Sequence, residues 1–383
     1  MLTISQLTQL RKNLHQYPEL SKQERETAER IMRQFEHFHP DEVHRNLGGH
    51  GLAFVFQGSL PGPSTLIRCE LDALPIEEIN DFAHRSSTSG VSHKCGHDGH
   101  MAIITALGSK LTDHRPKHGR VILCFQPAEE TGTGAVDMVT DKNFKPLIPD
   151  YAFALHNYPG LALGHVAVRA GTFNCASRGM IIELRGKTSH AAHPEDGLSP
   201  ALAMCQIIEQ LSQLPQTLAE QDLAGKHWVT VIHAKLGEIA FGTAPGDAVV
   251  MATLRSETNQ GMNALVEQAE QLASHCAQQA GLEFHCHYDD VFQASVNSEE
   301  GCQRVVSACE KTTTPYHLMD QPMRWSEDFG QFTAVAKQGA MFALGAGVKS
   351  PQLHNPDYDF ADELIPIGHD IFVSIIDDIN GLS

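Results

Sequence analysis

Nine consecutive residues, Ser92-His93-Lys94-Cys95-Gly96-His97-Asp98-Gly99-His100, bring one thiol, one carboxylate and three imidazoles together. Thiolate and neutral imidazole are donors that suit zinc and its borderline neighbours. Glycine on both sides of His97-Asp98 allows backbone conformations closed to other residues and a close approach to an ion. The run Met101-Ala-Ile-Ile-Thr-Ala-Leu107 reads as a helix entering apolar packing. The cluster is therefore expected on a turn at a helix N-terminus, where backbone amides and the dipole favour an anionic ligand. This turn is read as half of a metal site. With 23 histidines in 383 residues, one spacing match decides little, and a buried thiol beside a surface histidine fits the same letters. A Cys-His nucleophile pair fits less well, because its partners normally lie far apart in sequence.

The other half must come from elsewhere in the chain. Asp72 closes Ser64-Thr-Leu-Ile-Arg-Cys-Glu-Leu-Asp72, Glu129-Glu130 follow Arg120-Val-Ile-Leu-Cys-Phe125, and His156 follows Tyr151-Ala-Phe-Ala-Leu155. Each apolar run reads as a buried strand, so all four groups fall at strand C-terminal ends. In open α/β sheets that is the edge where ligands bind. His354 sits on the Pro-bounded loop Leu353-His354-Asn355-Pro356. Adjacent glutamates point to different sides of the backbone, so one can ligate while the other handles protons. Taken singly, these residues also read as a solvated acidic pair and as satisfied structural histidines.

The elements that must position them follow from periodicity. Leu7, Leu10 and Leu14 recur at helical spacing, Tyr17-Pro18 ends that helix, and a second runs over 23–38. Strands then alternate with helices, which implies an α/β fold with a mainly parallel sheet and helices on both faces. From about Phe173 the pattern changes. Met180, Ile182 and Leu184 alternate as a strand, and Ser199-Pro200 caps a helix. Strands over 227–236 and 247–255, a helix from Met262 to Cys276, and a strand at 282–288 follow. That βαββαβ order is ferredoxin-like. Residues 174–290 are thus read as an inserted α+β domain, with 1–173 and 291–383 forming the metal-binding domain. Neither an internal repeat nor a low-complexity tract is evident.

A net charge of −18 argues against nucleic acid and anionic membranes as partners, so an anionic substrate needs positive charge supplied locally. The opening Met1-Leu-Thr-Ile-Ser-Gln-Leu7 does not read as a signal peptide, and runs such as Ile371-Phe-Val-Ser-Ile-Ile376 are too short to span a bilayer. Nine cysteines, an odd number, point to reduced thiols and the cytoplasm.

These residues resemble a known family. The Cys95/His97 turn, Gln126-Pro-Ala-Glu129-Glu130, Ala154-Leu-His156 and Leu353-His354-Asn355-Pro356 are similar to motifs of the M20 metallopeptidases. The match is to the branch of aminoacylases, hippurate hydrolases and auxin-conjugate hydrolases. Leu14-His15-Gln-Tyr-Pro18-Glu19, Leu71-Asp72-Ala73-Leu74-Pro75, Gly186-Lys-Thr-Ser-His190-Ala-Ala-His-Pro194 and Ser326-Glu327-Asp328-Phe329 also fit, so the likeness spans nearly the whole chain in order. It implies that Cys95, His97, Glu130, His156 and His354 hold two divalent ions, with Cys95 the bridge. The ions would be zinc, or manganese, cobalt or nickel. Glu129 would be the general base and Asp72 would support the ligands from behind. The inserted domain would act as a lid and make a homodimer, from which His190 stabilises the oxyanion at the partner's site. Arg255 is a candidate for the substrate carboxylate, with a cross-strand ion pair as its ordinary reading. Two positions depart from the family pattern: Phe241-Gly-Thr-Ala-Pro245-Gly-Asp247 replaces Asn-Val-Ile-Pro, and Glu70 stands where Asp is usual.

The resulting expectation is a two-metal amidohydrolase that cleaves N-acyl amino acids, or related small amides with a free carboxylate, through a metal-bridging water activated by Glu129. The rival within that chemistry is a carboxypeptidase or dipeptidase on short peptides. From other classes, the rivals are a non-catalytic metal-containing binder of amino-acid conjugates and a purely structural zinc site.

Overall fold

The strand Leu60–Glu70 lies at the middle of an eight-stranded sheet whose central members all run in one direction. The order across the sheet is Glu42–Leu47, Gly51–Gln57, His118–Gln126, Leu60–Glu70, Tyr151–Pro159, Gln338–Gly347, Val166–Val168 and Tyr316–Leu318. His118–Gln126, Leu60–Glu70, Tyr151–Pro159 and Gln338–Gly347 pair in parallel, while the strands flanking them pair antiparallel. The computed structural model describes residues 1–220 and 225–383. Within them the chain divides into two compact units, Met1–Phe173 with Ser295–Pro322 and Asp328–Ser383, and Asn174–Ala294 with Met323–Glu327.

In the first unit, local chemistry sets where helices start. Thr3 caps Ile4–Gln16 by accepting from the Gln6 amide, and the Gln6 side chain accepts from the Thr3 amide. This reciprocal box satisfies two amides that a helix start leaves unpaired. The stripe it directs inward is Leu7, Leu10, Arg11, Leu14 and His15, so two ionisable groups share the buried face with three leucines. Phe35 stacks on Phe54 at 3.8 Å and meets Phe125 edge-on at 5.5 Å, which ties the second helix to two neighbouring strands. Burying aromatic faces in this way supplies much of the driving force for docking helices on the sheet.

The second unit is a four-stranded antiparallel sheet in the order His227–Leu236, Asp247–Ser256, Ala176–Arg185, Glu283–Phe292. Met180, Ile182, Leu184, Ala248, Val250, Ala252 and Leu254 alternate inward. They share one core with the helices Ala201–Glu220 and Asn259–Gln279. The βαββαβ order and this strand arrangement make the unit ferredoxin-like. A short return, Met323–Glu327, belongs to it as well: the Cys175 amide donates to Met323 O at 3.0 Å. Among the described residues no helix is long and apolar enough to cross a membrane.

Candidate metal centre

Gly96 makes the turn. Its φ of +91° is a left-handed conformation, and a Cβ placed on it would lie 2.5 Å from Asn157 Oδ1. The next residue, His97, is already the first of the helix His97–Asp113, so the imidazole projects from the helix start. Cys95, just before the turn, is buried with its Sγ 3.4 Å from His156 Nε2. His156 does not end its strand as expected. Pairing with Gln338–Gly347 continues past it to Pro159, because the neighbouring strand runs on in register. Its Nδ1 donates to Asn157 O at 2.8 Å, which turns Nε2 toward Cys95.

His97 is fixed in the same way. Nδ1 donates to the Asp72 carbonyl at 2.8 Å, while Nε2 is buried and has no hydrogen-bond partner. That atom lies 3.8 Å from Glu129 Oε2 and 3.8 Å from Glu130 Oε1. The two glutamates do not diverge as an extended pair would. They sit on a turn after Ala128, whose φ is +50°, and both carboxylates approach one imidazole. Asp72 stands behind them, its Oδ2 accepting from the Glu130 amide at 3.0 Å and from Ser21 Oγ at 2.7 Å. His354, at φ +67°, brings its Nε2 to 3.7 Å from Glu130 Oε2. Three overlapping trios therefore have their donor atoms within 4.8 Å of one another: Cys95, His97 and His156; Cys95, Glu130 and His354; His97, Glu129 and Glu130.

The electrostatics suit cations. Burial alone would push the His97 ring toward neutral, but Glu70, Asp72 and Glu130 outweigh it and raise its pKa to about 10. Burial pushes the Cys95 thiol well above its ordinary value, and Glu130, Glu129 and Glu70 push the same way. Burial, then His100, holds His156 well below its ordinary value, so it is a neutral lone-pair donor. An orphaned imidazole nitrogen facing two carboxylates, beside a thiol that needs positive charge to ionise, fits a divalent ion.

How several supporting residues pair escaped the sequence reading. His100 Nδ1 donates to Glu70 at 2.6 Å and its Nε2 accepts from the Asn157 amide at 3.2 Å, so both nitrogens are engaged. Glu70 pairs with the buried Arg68, which also donates to Gln126 Oε1 and to Asp328 Oδ1, both at 2.7 Å. Behind the turn, His15 donates to Asp98 at 2.9 Å and meets Glu78 at 3.0 Å, and Lys94 Nζ reaches Glu78 at 2.6 Å. Arg11 and His15 occupy apolar-stripe positions of the first helix, a signal that could have exposed this buried network.

The two remaining candidates lie in the second unit. His190 is exposed on the short strand Ser189–His190, which pairs with Thr243–Ala244, and its Nδ1 accepts from the Ala192 amide at 3.0 Å. Arg255, on Asp247–Ser256, donates through Nη1 to Arg324 O and Ser326 Oγ, both at 2.9 Å. No carboxylate pairs with it among the described residues, so the cross-strand ion pair is absent there.

Comparison with known proteins agrees with this architecture. The chain is 29% identical over 367 residues to the N-acetyldiaminopimelate deacetylase of Lactobacillus helveticus, covering 93% of this chain and 94% of that protein. It is 30% identical over 286 residues to the N-acetyl-L-cysteine deacetylase of Bacillus subtilis, covering 73% of this chain and 67% of that one. A solved Bacillus subtilis structure, described as a dinuclear metal binding peptidase from the M20 family, shares the fold. Its TM-score is 0.83 at 24% identity, over 98% of each chain. Residues 66–378 match the model of peptidase family M20/M25/M40, and this chain belongs to that family.

Proposed function

We propose that this chain hydrolyses the amide bond of N-acyl amino acids, or of related small amides with a free carboxylate. The observation that carries the reading is the convergence of Cys95, His97, Glu129, Glu130, His156 and His354 at one sheet edge. Relatives named for deacetylation of N-acetyl amino acids, at 29% and 30% identity, support the substrate class.

Cys95, His97, Glu130, His156 and His354 would hold two divalent ions, Cys95 being the donor shared by the two trios that these five residues make up. Zinc suits a thiol and imidazole set, and manganese, cobalt or nickel suit the carboxylate-rich side. Such ions would supply Lewis acidity there, acidifying a water and polarising the scissile carbonyl. Glu129 accepts the proton of the attacking water and returns it to the leaving amine. A positioned base of this kind contributes roughly 10²–10⁴-fold. Asp72 holds the Glu130 amide and, through its carbonyl, the His97 ring.

The second unit is a lid and dimerisation domain, and its exposed His190 donates to the developing oxyanion in the partner's site. Arg255, anchored through Nη1 and without an acidic partner, takes the substrate carboxylate. Nine thiols, seven of them buried, suit a reducing cytoplasm.

A panel of N-acetyl amino acids set against dipeptides, run with metal analysis on wild type and Glu129→Gln, tests the reading. The variant is expected to keep its metals and lose turnover by at least about 100-fold. Normal turnover by Glu129→Gln sinks the mechanism, preference for dipeptides favours the peptidase, and metal with binding but no turnover makes the chain a binder.

A further inference from the structure

Glu24 lies far from the reacting groups in sequence, yet one of its oxygens reaches the turn that carries them. The side chain is fully buried, and its Oε1 accepts from the Ala128 amide at 2.8 Å and from the Lys22 amide at 2.8 Å. Both donors are non-glycine residues in the left-handed region, Lys22 at φ +68° and Ala128 at φ +50°. Such conformations are strained for a residue with a Cβ and persist only where the surroundings hold them. Ala128 directly precedes Glu129 and Glu130. Its carbonyl is held too, by the Gly134 amide at 3.0 Å, and a Cβ on Gly134 would lie 1.6 Å from Pro127 O.

The same loop grips the other end of the pair. Ser21 donates to Asp72, whose Oδ2 in turn accepts from the Glu130 amide. The amides before and after Glu129 are thus each bonded to a buried carboxylate, Glu24 on one side and Asp72 on the other. We propose that Glu24 is a positioning residue: by holding Ala128 in its left-handed conformation it aims the Glu129 and Glu130 carboxylates at His97. Only the acceptor at Oε1 is needed for this, since Oε2 is buried without a hydrogen-bond partner. Glutamine keeps that acceptor and alanine removes it.

The inference rests on the roles given above to Glu129 and Glu130, and its test separates the two. Wild type, Glu24→Gln, Glu24→Ala and the double variant Glu24→Ala/Ala128→Gly are compared as metal-loaded proteins. The readouts are kcat and KM on the best N-acyl amino acid, zinc affinity by chelator competition, and hydrogen exchange of the peptide spanning 126–132. Glu24→Ala is expected to lose about 10–100-fold in kcat and in zinc affinity, with KM within about twofold and the 126–132 amides deprotected. Glu24→Gln stays near wild type in all three. The double variant recovers part of the loss, because glycine adopts a positive φ without help.

Unchanged zinc affinity and exchange in Glu24→Ala overturns the proposal. So does a Glu24→Gln variant as impaired as the alanine, which would make charge the operative property. No recovery in the double variant removes Ala128 as the residue being held. If wild type turns over nothing in the panel, the hydrolase reading fails, and zinc affinity and exchange still decide the role of Glu24.

Discussion

The amide of His354 donates to the carbonyl of Lys94 at 2.8 Å, locking a loop near the C-terminus onto the residue that precedes Cys95. Lys94 is held from the other side, its Nζ reaching Glu78 Oε1 at 2.6 Å and Tyr358 O at 2.8 Å. Asn157 completes the link by donating to Tyr358 Oη at 2.5 Å. Segments around positions 94, 157 and 354–358 are thus mutually bonded before any ion is considered. Preorganisation of this kind keeps repelling carboxylates and a buried thiol close together, at the cost of a left-handed residue at His354.

Gly96 is where that preorganisation is most exposed to a single substitution. Gly96→Ala must fit a methyl group 2.5 Å from Asn157 Oδ1 and adopt φ +91° as well. Strain and displacement together are expected to cost about 1–3 kcal/mol. Because Asn157 also bonds His100 and Tyr358, zinc affinity falls with stability. Thermal unfolding and chelator competition read both effects. A variant with wild-type values in each would show that Asn157 yields freely.

Arg68 offers a second test. Its guanidinium is buried between Glu70 and Asp328, and Asp328 also accepts from the Gln126 side chain and the Ala135 amide. Arg68→Met removes the cation and leaves two buried carboxylates in place. Breaking a buried pair from one side costs about 3–5 kcal/mol. Urea unfolding should show a loss of that size, with Asp328→Asn in the same background restoring part of it. A loss under about 1 kcal/mol would show that the carboxylates find water or protons at little cost.

The strands and the candidate donors of the His97 turn were legible because both are written locally. Apolar runs such as Val121 to Phe125 mark buried strands, and a thiol and three imidazoles within nine residues mark a candidate site. The short strand Val166–Val168, antiparallel to Gln338–Gly347, and the edge strand Tyr316–Leu318, parallel to Val166–Val168, were not legible, being too short to show a period. Nor was the orientation of Glu129 and Glu130, since the left-handed Ala128 that turns both carboxylates inward carries no local mark. His15 and Arg11 escaped for another reason. Their partners, Asp98, Glu78, Asp359 and Asp362, lie in distant segments, so only the fold shows that these charges are paired.

The His15 network predicts a dependence on pH. Burial disfavours the imidazolium, but Asp98, Glu78 and Asp359 outweigh it and raise the pKa of His15 to about 9, from an ordinary 6.5. A group whose pKa rises on folding contributes fully below its unfolded value and loses that contribution as pH climbs through the folded one. The stability gap between wild type and His15→Gln should therefore be widest near pH 6, on the order of 3 kcal/mol, and close toward pH 9. Glu78 has the opposite sign: despite burial, His15, Lys94 and the Ser86 amide hold it down to about 2. Its contribution is present above the ordinary glutamate range and is lost as pH falls toward 2. Urea midpoints across this range check both arms, and a gap that stays constant from pH 6 to 9 would mean His15 is neutral in the folded chain.

Removing metal separates a catalytic centre from a structural one. The first unit's core, from Leu7 through Phe35, Phe54, Phe125 and Phe342 to Ile376, is apolar and contains none of the proposed ligands. Chelation is therefore expected to abolish hydrolysis while leaving the far-ultraviolet circular dichroism of the α/β fold in place. Stability should still fall, because Glu70, Asp72, Glu129 and Glu130 then crowd His97 and Cys95 without the opposing charge. For ions present at about 100 times their dissociation constants the loss is about 2.7 kcal/mol for each ion, about 5 kcal/mol for the two, or a drop in Tm of roughly 5–10 °C in a chain of this size. Titrating zinc back should restore turnover and Tm together, since both depend on the same side chains. Loss of the circular dichroism signal on chelation would instead make the ions part of the folding energy, as in small zinc domains, and the case for a catalytic centre would then rest on Glu129 alone.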